Sequence, residues 1–162
     1  MEYSEESKMI SKSVFFHHGI SVSDVDIVCD FFERVFGLKT IQKREIEHPY
    51  INSLVGGANL SAKVAMIQID STSFLEVLSW QGRKQSQGLK HFESQNVYDI
   101  GAQHLCFFSE DIEKLYSVIS LETEVELISD GIVKVQAGPN IGARVFFVRI
   151  FGFLFLEIFQ KN

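Results

Sequence analysis

The stretch HHGISVSDVDIVCDFF, residues 17–32, decides the fold because its pattern occurs twice in the chain. Its first residues predict a β-strand, and Asp24 followed by apolar residues at helical spacing predicts an N-capped helix that ends at Gly37. The segment HLCFFSEDIEKLY, residues 104–116, repeats this series 87 positions later. A repeated strand and helix indicates a duplicated module, and such a repeat determines the architecture of the whole chain.

The offset also separates the two adjacent histidines. An offset of 87 aligns His17 with His104 and keeps the apolar positions of both helices in phase, whereas aligning His18 with His104 places apolar residues against polar ones. Side chains alternate between the two faces of a strand, so His17 and His18 point in opposite directions. We therefore expect His17 to face a functional site and His18 to pack on the helix-covered face with Ile20 and Val22.

The two halves also end alike. FLEVLSW, residues 74–80, resembles FLEIFQK, residues 155–161, at an offset of 81, and this offset places Glu76 on Glu157. The second half is thus six residues shorter between its first and last strands. Both halves are predicted to be βαβββ modules.

These patterns predict the organisation of the chain. We expect a flexible N-terminal tail at 1–13, a first module at 14–80, a polar linker at 81–100 and a second module at 101–160. One such module cannot bury both faces of its sheet. The predicted fold class is α+β, with two tandem modules that form a curved mixed sheet around a metal or substrate cavity.

Composition excludes several functions. The formal charge is −6 and no basic run is present, which argues against nucleic acid and against an anionic membrane surface. Two cysteines make no disulfide framework, so we expect a cytoplasmic protein. The polar N-terminus has no apolar core of a secretory signal, and the most apolar run is too short and too interrupted to span a bilayer. A small-molecule substrate is the expected partner.

Four residues at equivalent positions carry the candidate chemistry: His17, Glu76, His104 and Glu157. A lone histidine at a strand start is usually structural, and a lone glutamate in an apolar strand usually faces outward. Their joint recurrence in both halves favours a metal site, because a carboxylate among apolar neighbours needs a cation or hydrogen-bond donors. Two imidazoles and two carboxylates suit a divalent transition metal: Zn, Ni, Co, Mn or Fe.

The repeated signatures HHGISVSDVDIVCDFFERVFGL and HLCFFSEDIEKLY resemble those of the vicinal oxygen chelate superfamily. This superfamily includes glyoxalase I, methylmalonyl-CoA epimerase, extradiol dioxygenases, and the fosfomycin and bleomycin resistance proteins. The resemblance covers about residues 14–160. It implies paired βαβββ modules, within one chain or across a homodimer, and a metal held by the four residues named above.

One departure from the superfamily pattern concerns Glu157. Members commonly carry an Asp-Pro-x-Gly turn before the last strand, but here the region reads VRIFGFLFLE, residues 148–157. The spacing from Gly152 to Glu157 is one residue longer than expected. A shift of one residue reverses the face of a strand, so Glu157 reaches the site only if the turn absorbs the difference.

Strand parity predicts an apolar pocket floor around the metal. The expected substrate-binding residues on this floor are Phe74, Leu78, Phe108, Phe155 and Phe159. The segment REIEHPYINSLVGG, residues 44–57, is expected to form a loop or lid, with Arg44, His48 and Tyr50 facing substrate. Cys106 shares the face of His104, where a buried inert thiol is favoured over a nucleophile.

The resemblance and the residues together favour a metal-dependent lyase or isomerase of the glyoxalase or epimerase type. Its metal would act as a Lewis acid on two adjacent substrate oxygens, and Glu157 or Glu76 would move a proton as general base. Two alternatives remain open: an Fe(II) ring-cleaving dioxygenase, and a non-catalytic protein that sequesters a small molecule, as the bleomycin resistance proteins do.

Overall fold

A strand, a helix and a further series of strands follow one another in each half of the computed structural model, which describes residues 15–82 and 95–161. The chain divides into two units, 1–83 and 84–162. The predicted tail at 1–13 lies outside the described residues, as does most of the predicted linker. The two units are considered one at a time.

The first unit has six elements. In chain order they are β1 (His17–Ser21), α1 (Val25–Phe36), β2 (Lys39–Ile46), α2 (Tyr50–Val55), β3 (Ser61–Gln68) and β4 (Phe74–Gln81). Apart from the short helix α2, which interrupts the predicted loop, this is the predicted βαβββ order.

Helix α1 begins and ends where the sequence predicts. The Asp24 side chain accepts hydrogen bonds from the backbone N–H groups of Asp26 and Ile27, which the helix itself cannot satisfy. At the other end Gly37 adopts a left-handed conformation with φ 67°, which glycine tolerates without steric cost. The helix buries one apolar face on its own sheet: Val25, Val28, Cys29, Phe31 and Phe32.

Among residues 15–82, the strands form a sheet in the order β1-β4-β3-β2. The first and last strands, β1 and β4, are parallel neighbours, and the remaining pairs are antiparallel. The sheet is therefore mixed, as predicted. The parallel pair places the start of the module directly beside its end.

The second unit repeats this plan with shorter connections. Its elements are β5 (His104–Phe108), α3 (Ile112–Ile119), β6 (Val125–Leu127), β7 (Val133–Lys134), β8 (Arg144–Ile150) and β9 (Leu154–Gln160). Asp111 caps α3 by accepting from the backbone N–H of Lys114, as Asp24 caps α1.

Among residues 95–161, the sheet order is β5-β9-β8-β6, and β7 also pairs with β8. The two short strands β6 and β7 pair with opposite ends of β8, so together they take the place that β2 has in the first unit. The predicted single strand is therefore split here. The α+β class and the mixed character of both sheets are confirmed.

Each sheet has one face buried under its helix. In β1, buried Ile20 is the ladder partner of buried Val77. His18 lies two residues before Ile20, on the same face, where it is half-buried and is the ladder partner of buried Leu75. His17 lies on the opposite, more exposed face. The predicted separation of the two histidines is confirmed. No helix in the described parts of the chain is long and apolar enough to cross a membrane.

We predict that the two faces of the second sheet differ sharply in their contribution to stability. Phe146 is fully buried and its ring meets that of Tyr116 edge-on at 5.0 Å, so Phe146→Ala should lower the free energy of unfolding by about 3–5 kcal/mol. Phe108 is 62% exposed, and Phe108→Ala should change it by less than about 1 kcal/mol. Denaturant titrations of both variants measure the difference, and equal losses would contradict the assignment of faces.

Candidate metal-binding site

The parallel pair in the first unit brings His17 and Glu76 together. His17 is the ladder partner of Phe74, so Glu76, two residues further, lies beside Gly19 on the same face as the imidazole. The Nε2 atom of His17 lies 3.4 Å from Oε2 of Glu76. Both side chains remain partly accessible, at 36% and 22% exposure, so an ion from solvent can reach them.

The second unit contains the same pair in the same register. His104 is the ladder partner of Phe155, and Glu157 is the partner of Cys106. The Nε2 atom of His104 lies 3.2 Å from Oε2 of Glu157, and the two side chains are 44% and 23% exposed. The duplicated sequence therefore produces a duplicated geometry, with one imidazole and one carboxylate in each half.

The turn before the last strand absorbs the additional residue. Phe151 and Gly152 both have positive φ, 53° and 74°, and the Phe153 N–H donates to the Ile150 carbonyl, which is the geometry of a type I′ hairpin turn. In the first unit, the longer turn is instead held by Asp70, whose carboxylate accepts from the N–H groups of Thr72 and Ser73.

Two different turns thus give one register. Met66 is the ladder partner of Glu76, and Phe147 is the ladder partner of Glu157, as the offset of 81 requires. The condition set by the sequence is met: Glu157 faces the same side of its sheet as His104. The departure from the Asp-Pro-x-Gly pattern changes the turn and leaves the carboxylate in place.

Aromatic rings support both imidazoles. Phe16 meets the His17 ring edge-on at 5.2 Å, and Phe147 meets the His104 ring edge-on at 5.5 Å. Such contacts restrict the orientation of a histidine ring, which a metal ligand needs. Among residues 15–82 and 95–161, no group of three or more His, Cys, Asp and Glu side chains is placed to hold a metal ion. Each half therefore supplies a pair of donors.

The position beside the carboxylate differs between the halves. In the first unit it is Gly19, and in the second it is Cys106, which lies on the face of His104. The expected burial of Cys106 is wrong, since the residue is exposed. Partial burial, and then the charge of Glu157 and its acceptance of a hydrogen bond from the thiol, raise the pKa of Cys106 to about 11. A thiol with so high a pKa carries little thiolate at neutral pH, so Cys106 is a poor nucleophile.

The residues predicted to form the pocket floor differ in their exposure to solvent. Phe74, Leu78 and Phe159 are half-buried, and Phe108 is exposed. Phe155, however, is only 1% exposed, and the guanidinium of Arg149 lies 5.2 Å from its ring centroid. Phe155 is therefore a covered part of the floor rather than an open one.

Sequence reasoning missed a role for Arg149, which it considered only as part of the segment VRIFGFLFLE before the last strand. Arg149 is the ladder partner of Phe155 and so lies on the face of His104 and Glu157. It is 8% exposed, and it donates to Glu126 Oε2 at 2.7 Å and to the Gln95 carbonyl at 2.6 Å. The parity of β8 contained the signal, since Arg149 is spaced by two from Phe147, the neighbour of Glu157.

The predicted loop at 44–57 needs a correction. Arg44 does not lie in a loop: β2 extends to Ile46, and Arg44 pairs with Val64 in the antiparallel ladder. The charged residues of KTIQKREI lack the apolar pattern that predicts a strand. Their side chains are mostly exposed because β2 is an edge strand of the sheet in this unit. By register, Arg44 still lies on the face of Glu76. His48 precedes α2 and Tyr50 is its first residue; both are exposed, and His48 Nδ1 accepts a hydrogen bond from the Tyr50 N–H.

Helix α2 covers one end of this face in the first unit. Ile51 is buried against Ala62 and Val64, and four partly buried residues complete this cluster: Ile46, Leu60, Leu78 and Trp80. The Trp80 indole N–H donates to the Ser21 hydroxyl at 3.0 Å, which fixes the ring against β1. Helix α2 thus forms part of the segment that the sequence predicts to be a loop or lid.

We predict that Cys106 reacts slowly with thiol reagents in the folded protein. Its pKa of about 11, against 9.0 for an unperturbed thiol, should reduce the thiolate fraction at pH 8 about a hundredfold. In a Cys29→Ala background, alkylation by iodoacetamide should be correspondingly slower in the native than in the unfolded chain and should accelerate as the pH rises towards 11. Rapid native alkylation at pH 7 would contradict the stated pKa.

Comparisons with known proteins bear on the fold. No protein-family model matches the chain, and no curated protein sequence matches it. Solved structures do. A glyoxalase family protein from Bacillus cereus matches with a TM-score of 0.78 and 18% identity, over 94% of this chain and 98% of that one.

Two further structures agree. Glyoxalase I of Leishmania major, a trypanothione-dependent enzyme, matches with a TM-score of 0.59 and 15% identity, over 92% of this chain and 87% of that one. A fosfomycin resistance protein from Listeria monocytogenes, solved with Mn(II) and a sulfate ion, matches with a TM-score of 0.53 and 13% identity, over 93% of both chains. The chain therefore has the fold of the glyoxalase proteins, and the predicted resemblance to the vicinal oxygen chelate superfamily is confirmed at the level of the fold.

Proposed function

We propose that the protein is a divalent-metal-dependent lyase or isomerase that acts on a small, partly apolar molecule with two adjacent oxygens. The observation that carries this proposal is the repeated pair of one imidazole and one carboxylate, in identical register and at 3.4 and 3.2 Å in the two halves. Two sequences that differ at most other positions have no structural need to keep both residues at both places.

The donor set fits a divalent transition metal. His17, Glu76, His104 and Glu157 would hold it, and their neutral nitrogens and anionic oxygens suit Zn, Ni, Co, Mn or Fe. Such an ion, when bound, supplies Lewis-acid polarisation of two substrate oxygens. Phe16 and Phe147 meet the two imidazoles edge-on and would help to hold these rings in place for a bound ion.

The residues of the chain supply the remaining steps of the proposed reaction. Glu76 or Glu157 accepts a proton from the substrate carbon next to the oxygens and returns it, so an isomerisation leaves the enzyme unchanged. The imidazoles of His17 and His104 keep the site assembled while a carboxylate moves. Phe74, Leu78, Phe108 and Phe159 offer apolar surface for the substrate body, and Arg44, His48 and Tyr50 are proposed to approach it from the side of α2.

The proposal also covers the location and the assembly of the protein. We propose a cytoplasmic protein, consistent with the two free cysteines in the described residues, and an assembly as a homodimer. An Fe(II) dioxygenase and a non-catalytic binding protein are the alternatives. If the protein binds iron through both histidines and only one of the two carboxylates, the dioxygenase is favoured. If the protein binds no metal, the binding protein is favoured.

We predict that protein purified without chelators contains a transition metal or takes one up on titration. Elemental analysis should find close to one metal ion for each set of the four proposed ligands. The double variant Glu76→Gln and Glu157→Gln should reduce occupancy at least tenfold, because amides replace two anionic ligands. The exposed Glu33 of α1 provides a matched control, and Glu33→Gln should leave occupancy unchanged. Occupancy below about one tenth of an equivalent, without uptake, would refute metal dependence.

We also predict opposite effects at the two adjacent histidines. His17→Ala should lose metal and keep the stability of the metal-free protein, since its side chain lies on the accessible face. His18→Ala should keep metal and lower stability by about 1 kcal/mol, since half-buried His18 lies beside buried Leu75. Metal titration and thermal denaturation of both variants separate the two roles, and loss of metal from His18→Ala would reverse the assignment.

A further inference from the structure

The accessible face of the second sheet has a charged end and an aromatic end. The ladders between β6, β8, β9 and β5 align one row of residues on this face: Glu126, Arg149, Phe155 and His104. Phe159 and Phe108 lie on the same face, four residues further along β9 and β5. Four residues of a strand span about 13 Å, so this face can hold an elongated small molecule between Arg149 and the two phenylalanines.

Arg149 is a buried cation with an exposed counterion. The residue is 8% exposed, its guanidinium lies 5.2 Å from the Phe155 ring centroid, and Nη2 donates to the Gln95 carbonyl at 2.6 Å. These contacts fix the orientation of the guanidinium. Nη1 donates to Oε2 of Glu126 at 2.7 Å, but the Glu126 side chain is 59% exposed. Glu126 can therefore turn into solvent, where its carboxylate is hydrated.

The burial of Arg149 determines which ligands can replace Glu126. A buried guanidinium that loses its anion is strongly destabilised, so the replacing group must itself be an anion. A carboxylate makes the same charge-assisted hydrogen bond as Glu126. A ligand with an apolar body also covers Phe159, which is half-buried, and Phe108, which is 62% exposed. This burial of apolar surface favours the ligand over Glu126.

We propose that Arg149 is a specificity-determining residue, which binds the carboxylate of an elongated, apolar carboxylic acid in exchange for Glu126. The apolar end of the acid lies on Phe159 and Phe108. The inference names the substrate class of the function proposed above and rests on that function in treating the acid as a substrate. The contact with Arg149 itself requires no metal ion.

Calorimetric titration of the full chain with two matched probes, in the presence of a chelator, tests the proposal. The probes are 6-phenylhexanoate and the uncharged 6-phenylhexanol, and the acid should bind at least about tenfold more tightly. Arg149→Met keeps an unbranched side chain over Phe155 and removes the charge. It should weaken binding of the acid at least about tenfold and change that of the alcohol less than about twofold. Equal affinities of the unaltered protein for the two probes would overturn the proposal.

Substitution of Glu126 gives a result of the opposite sign. Glu126→Gln should strengthen binding of the acid about threefold or more, because it removes the competing carboxylate. In an Arg149→Met background the same change should alter affinity less than about twofold, which separates exchange at Arg149 from a general effect of removing negative charge. Because Glu126 is exposed, this variant tests the proposal even where Arg149→Met does not fold. Unchanged or weaker binding of the acid by Glu126→Gln would contradict the exchange.

The opposite face of the same sheet provides a matched control. Arg144 lies on β8 like Arg149, but on the helix-covered face, where it forms an ion pair with Glu113 of α3. Arg144→Met and Glu113→Gln should each leave the affinity for the acid within about twofold. Phe108→Ala should weaken binding of the acid and of the alcohol by the same factor, since both probes cover this ring. Thermal denaturation verifies that each variant is folded, and a loss in Arg144→Met as large as in Arg149→Met would refute the assignment.

The failure of this inference is distinguishable from the failure of the proposed function. If the acid and the alcohol bind equally tightly while the protein without chelator binds Co(II), the carboxylate site is wrong and the proposed function stands. If the acid binds through Arg149 but the protein binds no Co(II), the proposed function fails and the carboxylate site stands.

Discussion

The parallel pairing between the first and the last strand of each module is the constraint on which the candidate site depends. Parallel neighbours require a long crossover connection, and here the helix and the intervening hairpin provide it. The pairing places a histidine from the start of the module two ladder positions from a glutamate at its end. The two residues are far apart in sequence, so the histidine–glutamate pair exists only because the first and last strands of the module pair with each other.

The burial of one sheet face enforces this register. A slip by one residue would expose Leu75 and Val77, or Leu156 and Ile158, and would bury the glutamate between them. Burying an unpaired carboxylate costs several kcal/mol, and losing two aliphatic side chains from the core costs a similar amount. The core therefore holds Glu76 and Glu157 on the accessible face. The packing of aliphatic residues on the buried face thus determines which side chains lie on the accessible face.

Much of this arrangement was predictable because it follows local rules. Asp24 and Asp111 mark the helix starts, and strand alternation separates His17 from His18. Contacts between distant residues were not predictable. The burial of Arg149 depends on Glu126 and on the Gln95 carbonyl, which no local pattern connects to it. The place of Arg44 in β2 depends on pairing with β3, which overrides the polar character of its own segment. The split of the second module into β6 and β7 likewise reflects pairing with β8 rather than a signal in the sequence.

The hairpin before the last strand has a consequence for how such a protein can diverge. Asp70 and its hydrogen bonds close this turn in the first module, whereas Phe151 and Gly152 close it in the second with fewer residues. The glutamate that follows keeps its place in both. Insertions and deletions at this hairpin thus leave the register of the following glutamate unchanged, so the loop can vary in length and sequence while each module keeps its histidine–glutamate pair.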